Sequence, residues 1–211
     1  MPFCCHQDDS HIGRDELSVL GAIDMPRVVC YNEQSSGSGR LVLKAECSRG
    51  DKSQSMSSAG DDPEMLLSIP FTSNLRIRAL CVSCGDSPGT CPARVRVYAN
   101  CEGLDFSGLD TAPLVQEVLL TGPDPSAELW HPLKVVKLGN VSHLHLHFSG
   151  RLGVGEEEQG EGCTRVFYVG LKAEVVAPKL GVVHAVYESR TQLSDHKSSE
   201  HAGGGGVNLK L

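Results

Sequence analysis

No apolar run in this chain approaches the roughly 20 residues that cross a bilayer as a helix, so a membrane-spanning helix is not expected. Positive charge is also short: 19 Lys and Arg against 26 Asp and Glu leave a formal net charge of −7. That balance argues against a general nucleic-acid binder, which needs a basic face. Aromatics make up 5% of the residues, with one Trp and four Tyr, a poor supply for stacking on sugars. No glycine-rich phosphate cradle and no paired acid–base carboxylates stand out. Gly85-Asp86-Ser87-Pro88-Gly89 has the outline of a nucleophile elbow, but that motif requires a helix after the serine. Thr90-Cys91-Pro92 and a strand-like run follow instead, so the segment reads as a turn. The acidic start, Met1 to Asp9, lacks the basic and apolar parts of a secretory signal.

What is present fits one domain. A chain of 211 residues buries roughly 70% of its unfolded surface and needs no disulfide or metal to fold. The expected location is the cytoplasm, with the nucleus as a second compartment. Nine cysteines, an odd number, are expected to stay mostly reduced there. Cys4 and Cys5 form a weak acylation signal. Leu209-Lys210-Leu211 differs at one residue from a peroxisomal Ser-Lys-Leu address, and Asn140-Val141-Ser142 is a sequon that matters only with secretion.

The hydrophobic pattern is that of strands. Met65 to Ile69 is apolar throughout, as in a strand buried on both faces. Pro70 should end it, and Thr72, Ser73 and Asn74 should turn the chain. The following run alternates, with Leu75, Ile77, Ala79 and Cys81 inward and Arg76 and Arg78 outward. Strands are also expected at Leu41–Ala45, Ala93–Asn100, Leu114–Leu120, Trp130–Leu138, Val141–Phe148, Thr164–Val176 and Gly181–Tyr187. Residues 48–63 and 151–162 read as long polar loops. Roughly ten short strands at this spacing predict an antiparallel β-sandwich of jelly-roll type, apolar between the sheets and polar outside. The divisions are a flexible segment at 1–15, a β-sandwich at 16–196 and a flexible tail at 197–211.

Three side-chain groupings bear on chemistry. His143, His145 and His147 share one strand face, about 6.8 Å apart at each step, with Leu144, Leu146 and Phe148 on the other. A His-x-His pair inside a jelly roll is one way to hold zinc or iron, given a third ligand such as His131, His184 or a loop glutamate. The plainer reading is a polar outer face without metal or other cofactor. Cys81-Val82-Ser83-Cys84, followed by Cys91 and Cys101, has poor spacing for zinc, and Cys81 reads as a small core residue. Arg76, Arg78, Arg94 and Arg96 would form a ladder, suited to an acidic partner, if their strands were neighbours.

Four segments, in this order and spacing, carry a family resemblance: Leu66-Leu67-Ser68-Ile69-Pro70-Phe71-Thr72; Val95-Arg96-Val97-Tyr98-Ala99-Asn100; Pro132 to Val141; and Thr164-Arg165-Val166-Phe167-Tyr168-Val169-Gly170. Together they resemble a PITH domain, the proteasome-interacting module at the C-terminus of a thioredoxin-like protein. Cys30-Tyr31-Asn32-Glu33, Ser36 to Arg40, Tyr187-Glu188 and Asp195-His196 are more similar to the stand-alone members. The resemblance runs from about Leu17 to His196. It implies a galactose-binding-domain-like jelly roll and no enzymatic activity, with association with the proteasome for the thioredoxin-linked relative. The Cys-x-x-Cys lies inside the β domain, so disulfide reductase activity does not carry over. Asp105-Phe106-Ser107-Gly108 stands where the family tends to be more acidic.

The resulting expectation is a monomeric, non-catalytic protein-interaction domain whose partner is the proteasome regulatory particle. Arg76, Arg78, Arg94, Arg96, His196 and His201 are its candidate binding residues. The alternatives are a cupin-like metal enzyme built on His143, His145 and His147, and a lectin-like module for small ligands.

Overall fold

The computed structural model describes residues 19–60, 62–154 and 162–178, the last two by backbone alone. All belong to the compact unit Met1–Lys179. The expected strand Gly181–Tyr187, both flexible end segments at 1–15 and 197–211, and His184, His196 and His201 lie outside the described residues. In chain order the strands are β1 Val29–Tyr31, β2 Met56–Ser57, β3 Met65–Ser83, β4 Pro92–Ala99, β5 Leu114–Leu119, β6 Trp130–Pro132, β7 Val141–Arg151, β8 Arg165–Val166 and β9 Tyr168–Pro178. A single-turn helix, α1 Ser38–Leu41, and several 3-10 turns complete the described elements. No described helix is long and apolar enough to cross a membrane.

The fold is antiparallel and all-β, as the alternating pattern predicts, and β3 is its spine. Its first half lies between β1 and β7, and β7 continues to β4 and β5. Its second half lies between β6 and β9. One strand thus passes through both layers of the sandwich, which is how a corner is made when sheets share a strand. Leu67, Ile69, Val97, Leu144, Leu146 and Phe148 from the first layer meet Ile77, Val82, Val169 and Ala173 from the second in one buried cluster. β2 and β8 form a separate two-stranded sheet.

The expected turn at Thr72-Ser73-Asn74 is not there. Pro70 keeps its place opposite His143, and the pairing with β7 shifts between Pro70 and Leu75. The chain bends there instead of reversing, because other segments take up its backbone groups. The Asp24 N–H donates to the Pro70 carbonyl at 2.9 Å, and Ser73 and Asn74 pair with β9. A second irregularity, between Ile77 and Ala79, corrects the expected facing. One extra residue reverses the alternation beyond it. The core side therefore reads Leu75, Ile77, Leu80 and Val82, while Cys81 joins a satellite cluster with Ala127 and Tyr168.

Other boundaries move for similar reasons. Leu41–Ala45 is not a strand: Leu41 ends α1, and the fully buried Val42 gives its carbonyl to the Val169 N–H at 2.9 Å. Trp130–Leu138 keeps only three residues in β6 before a turn closes with the Leu138 N–H on the Lys134 carbonyl. Thr164–Val176 is broken at Phe167, whose N–H turns to the Ser83 carbonyl at 2.7 Å. The polar loop after Ser48 is anchored by Met56, which is fully buried in the core.

Candidate functional site

The outer face of β1–β3–β7–β4–β5 carries the histidines, and around His145 and His147 it is not open to solvent as its sequence suggested. On β7, Leu144, Leu146 and Phe148 face the core, so His143, His145 and His147 point the other way. There the segment 101–112 folds over His145 and His147. Leu104 packs on Leu66 and Tyr98, with Cys101, Leu109 and Ala112 beside it, and the Phe106 ring meets His147 edge-on at 6.0 Å. His145 and His147 are left 1% and 2% exposed. Asp105 holds the turn that carries Phe106, accepting from the Gly108 N–H at 3.1 Å and the Ser107 hydroxyl at 2.6 Å. Asn100, in the left-handed region at φ 58°, ties the start of the segment to β7. Its side chain accepts from the Ser142 N–H at 2.9 Å and donates to the Asn140 carbonyl at 2.9 Å.

Each histidine has its own setting. His143 Nε2 hydrogen-bonds the Ser68 hydroxyl at 2.7 Å. His145 Nε2 donates to the Cys101 carbonyl at 2.6 Å, and its Nδ1 is buried without a hydrogen bond. The rings of His143 and His145 stack, 4.5 Å apart. Burial, reinforced by the neighbouring His143, pushes His145 down to about 4, so this imidazole is neutral at pH 7. His147 Nε2 lies 3.4 Å from a Glu64 carboxylate oxygen. The imidazole holds Glu64 below the usual carboxylate range against the opposing effect of burial, and Arg96 and Arg94 add to it. Among the described residues, no three His, Cys, Asp or Glu side chains gather as a metal-ligand set. His131 sits on β6 opposite Leu80, in the other layer, where burial lowers its pKa.

The four arginines do not make one ladder, because β4 pairs with β5 and β7 whereas the second half of β3 pairs with β6 and β9. Arg94 and Arg96 lie on β4 beside the histidines. Arg96 Nε donates to Glu117 across the sheet at 2.9 Å. Arg76 and Arg78 share Glu174 of β9, at 3.8 Å and 2.5 Å. Lys172, also on β9, stands 4.4 Å over the Trp130 ring. Arg76, Arg78, Lys172 and Glu174 therefore share the outer side of the second layer, where Cys81 also faces Asp124, Glu46 and Arg49. Sequence reasoning missed Glu64, Tyr98 and the covering segment; the signal available was Leu104, Phe106 and Leu109 within a polar stretch.

The backbone is similar to the CBM32-3 domain from a family 31 glycoside hydrolase of Clostridium perfringens, with a TM-score of 0.49 and 10% identity over 73% of this chain and 94% of that one. It is also similar to the F5/8 type C domain of a Bacteroides fragilis protein, with a TM-score of 0.48 and 11% identity over 73% and 95%. The sequence is closer to other proteins. It is 32% identical to PITH domain-containing protein 1 of Danio rerio over 86% of this chain and 82% of that protein. It is 34% identical to the PITH domain-containing protein CG6153 of Drosophila melanogaster over 90% and 85%, and 31% identical to PITH domain-containing protein 1 of Homo sapiens over 83% and 78%. The family model for the PITH domain matches residues 9–191, and the chain belongs to the PITH domain family.

Proposed function

We propose that this chain is a non-catalytic protein-interaction domain that docks on the proteasome regulatory particle, in the cytoplasm and nucleus. The observation that carries the reading is the family match over residues 9–191. The surface supports it. On a chain of net charge −7, the outer side of β3–β9 gathers Arg76 and Arg78 against the one carboxylate of Glu174. Such a local excess selects acidic partners and speeds their encounter. The histidine face supports it differently: His143 and His145 spend their Nε2 atoms on Ser68 and Cys101, and the segment 101–112 covers His145 and His147.

The test is an affinity capture from lysate at low salt, read by mass spectrometry for regulatory-particle subunits. The reading expects their recovery with the wild-type chain and a loss of about tenfold with Arg76→Glu/Arg78→Glu. Absence of those subunits from the wild-type capture contradicts the partner. Equal recovery with the double variant contradicts the docking face.

A further inference from the structure

Val136 is 99% exposed, the most open large apolar side chain among the described residues, and Val135 beside it is 38% exposed. The two form the tip of the turn between β6 and β7. A lone exposed valine is ordinary on a protein surface. Two at one tip are less so, because solvated turns are normally built from Gly, Asn, Asp and Ser. A side chain as open as Val136 also adds nothing to the core.

The turn is held in one shape. Leu133 and Leu138, on either side of the tip, are buried in the main core. The Leu133 N–H donates to the Arg78 carbonyl at 2.8 Å, and the Ile77 N–H donates to the Leu138 carbonyl at 2.9 Å, so the turn stands beside the Arg76–Arg78 stretch of β3. From β5, the Gln116 side-chain amide clamps it twice. Its Nε2 donates to the Pro132 carbonyl at 3.0 Å and its Oε1 accepts from the Lys134 N–H at 2.9 Å. Within the turn, the Lys137 N–H donates to the Lys134 carbonyl at 3.0 Å. A tip fixed this way loses little freedom on docking. Its charges are also unspent. Lys134 and Lys137 flank the valines, both exposed, and neither makes an ion pair among the described residues, whereas Arg27, Lys44, Arg49, Lys52, Arg76, Arg78 and Arg96 all have a carboxylate.

We infer that the turn Lys134–Leu138 is the apolar centre of the docking face, and that it enters an apolar cleft rimmed by carboxylates on a protein partner. Val135 and Val136 fill the cleft, and Lys134 and Lys137 meet the carboxylates at its edge, the usual arrangement of an apolar centre inside a polar rim. The unpaired lysines select an acidic rim. A protein fits better than an anionic bilayer, because a chain of net charge −7 is repelled as a whole by a negatively charged surface, whereas a cleft needs to match only the turn. The inference rests on the proposed docking to the proteasome regulatory particle and places the valine tip next to Arg76 and Arg78 in it.

The full-length chain and its variants are tested against isolated regulatory particle by biolayer interferometry at about 50 mM salt. Val136→Asp should weaken binding about tenfold or more with an unchanged melting temperature, since that side chain touches nothing in the fold. Lys134→Glu/Lys137→Glu should weaken it and flatten its salt dependence. Val29→Asp, on the exposed face of the opposite edge strand, should bind as wild type does. In the wild-type complex, zero-length carbodiimide crosslinks mapped by mass spectrometry should join Lys134 or Lys137 to an Asp or Glu of the particle. Wild-type binding by Val136→Asp, or crosslinks from other lysines only, overturns the inference and leaves the partner standing. No binding by the wild-type chain overturns both. Co-flotation with phosphatidylserine-containing vesicles that is lost with Val136→Asp assigns the tip to a lipid surface and overturns it as well.

Discussion

His143 and His145 stack ring on ring, with centroids 4.5 Å apart and planes 12° from parallel, although both belong to one strand. His145 Nε2 must carry its proton to donate to the Cys101 carbonyl, so a second proton would enter at Nδ1, a buried atom without a hydrogen bond. That cost is why the His145 pKa sits near 4 rather than 6.5. Between those values the unfolded chain binds a proton that the folded chain refuses. The stabilising effect of neutral His145 is therefore complete above pH 6.5, falls as the pH drops, and is gone below about 4; it amounts to about 3 kcal/mol. Glu64 acts with the same sign, since its pKa is also lower in the fold. Urea midpoints measured from pH 7 to pH 4 should fall steadily, and His145→Gln should flatten the fall. A midpoint that rises toward pH 4 contradicts the account.

The segment 101–112 covers the His145 and His147 rings. Leu104→Ala removes its central apolar contact with Leu66 and Tyr98. The substitution should cost about 2 kcal/mol and raise the His145 pKa as water reaches the ring. An imidazole titration by NMR reads this directly: an unchanged His145 value in the variant would mean that the segment does not seal the face.

Gly39 sits where no other residue fits. A Cβ added there would lie 2.7 Å from Cys30 Cβ and 2.9 Å from Leu67 Cδ1. The turn before it is fixed by the Glu33 carboxylate, which accepts from the Gly37 N–H, the Ser38 hydroxyl at 2.8 Å and the Gly39 N–H at 2.8 Å. Gly39→Ala should therefore destabilise by about 1–3 kcal/mol through overpacking, whereas Gly50→Ala, where nothing lies within 4 Å, should be close to neutral. Paired thermal melts compare the two.

The histidine face also makes a metal prediction. Zinc added to the untagged chain should leave its melting temperature unchanged, and purified material should hold far less than one equivalent of zinc, iron or nickel. A stoichiometric metal lost on His143→Ala or His145→Ala would restore the metal-enzyme reading.

Much of the fold was legible where burial is one-sided. Val141–Phe148 alternates cleanly because Leu144, Leu146 and Phe148 have a core to face, and the same logic places Val95 and Val97. Two kinds of information were not local. Whether Pro70 and Thr72–Asn74 turn or bend depends on Asp24 and β9, which supply the missing partners from far along the chain. The irregularity beside Arg78 likewise moves Cys81 out of the main core, and no residue type announces it. At the candidate site, the shared face of the three histidines followed from the two-residue period, but their covering did not. A loop sequence such as 101–112 does not say which surface it will fold over.

The most direct test of the interaction reading is binding of the purified chain to isolated proteasome regulatory particle, measured by biolayer interferometry at about 50 and about 200 mM salt. The account predicts saturable binding that weakens at the higher salt and weakens again with Arg78→Glu. Absence of saturable binding by the wild-type chain at the lower salt would contradict it.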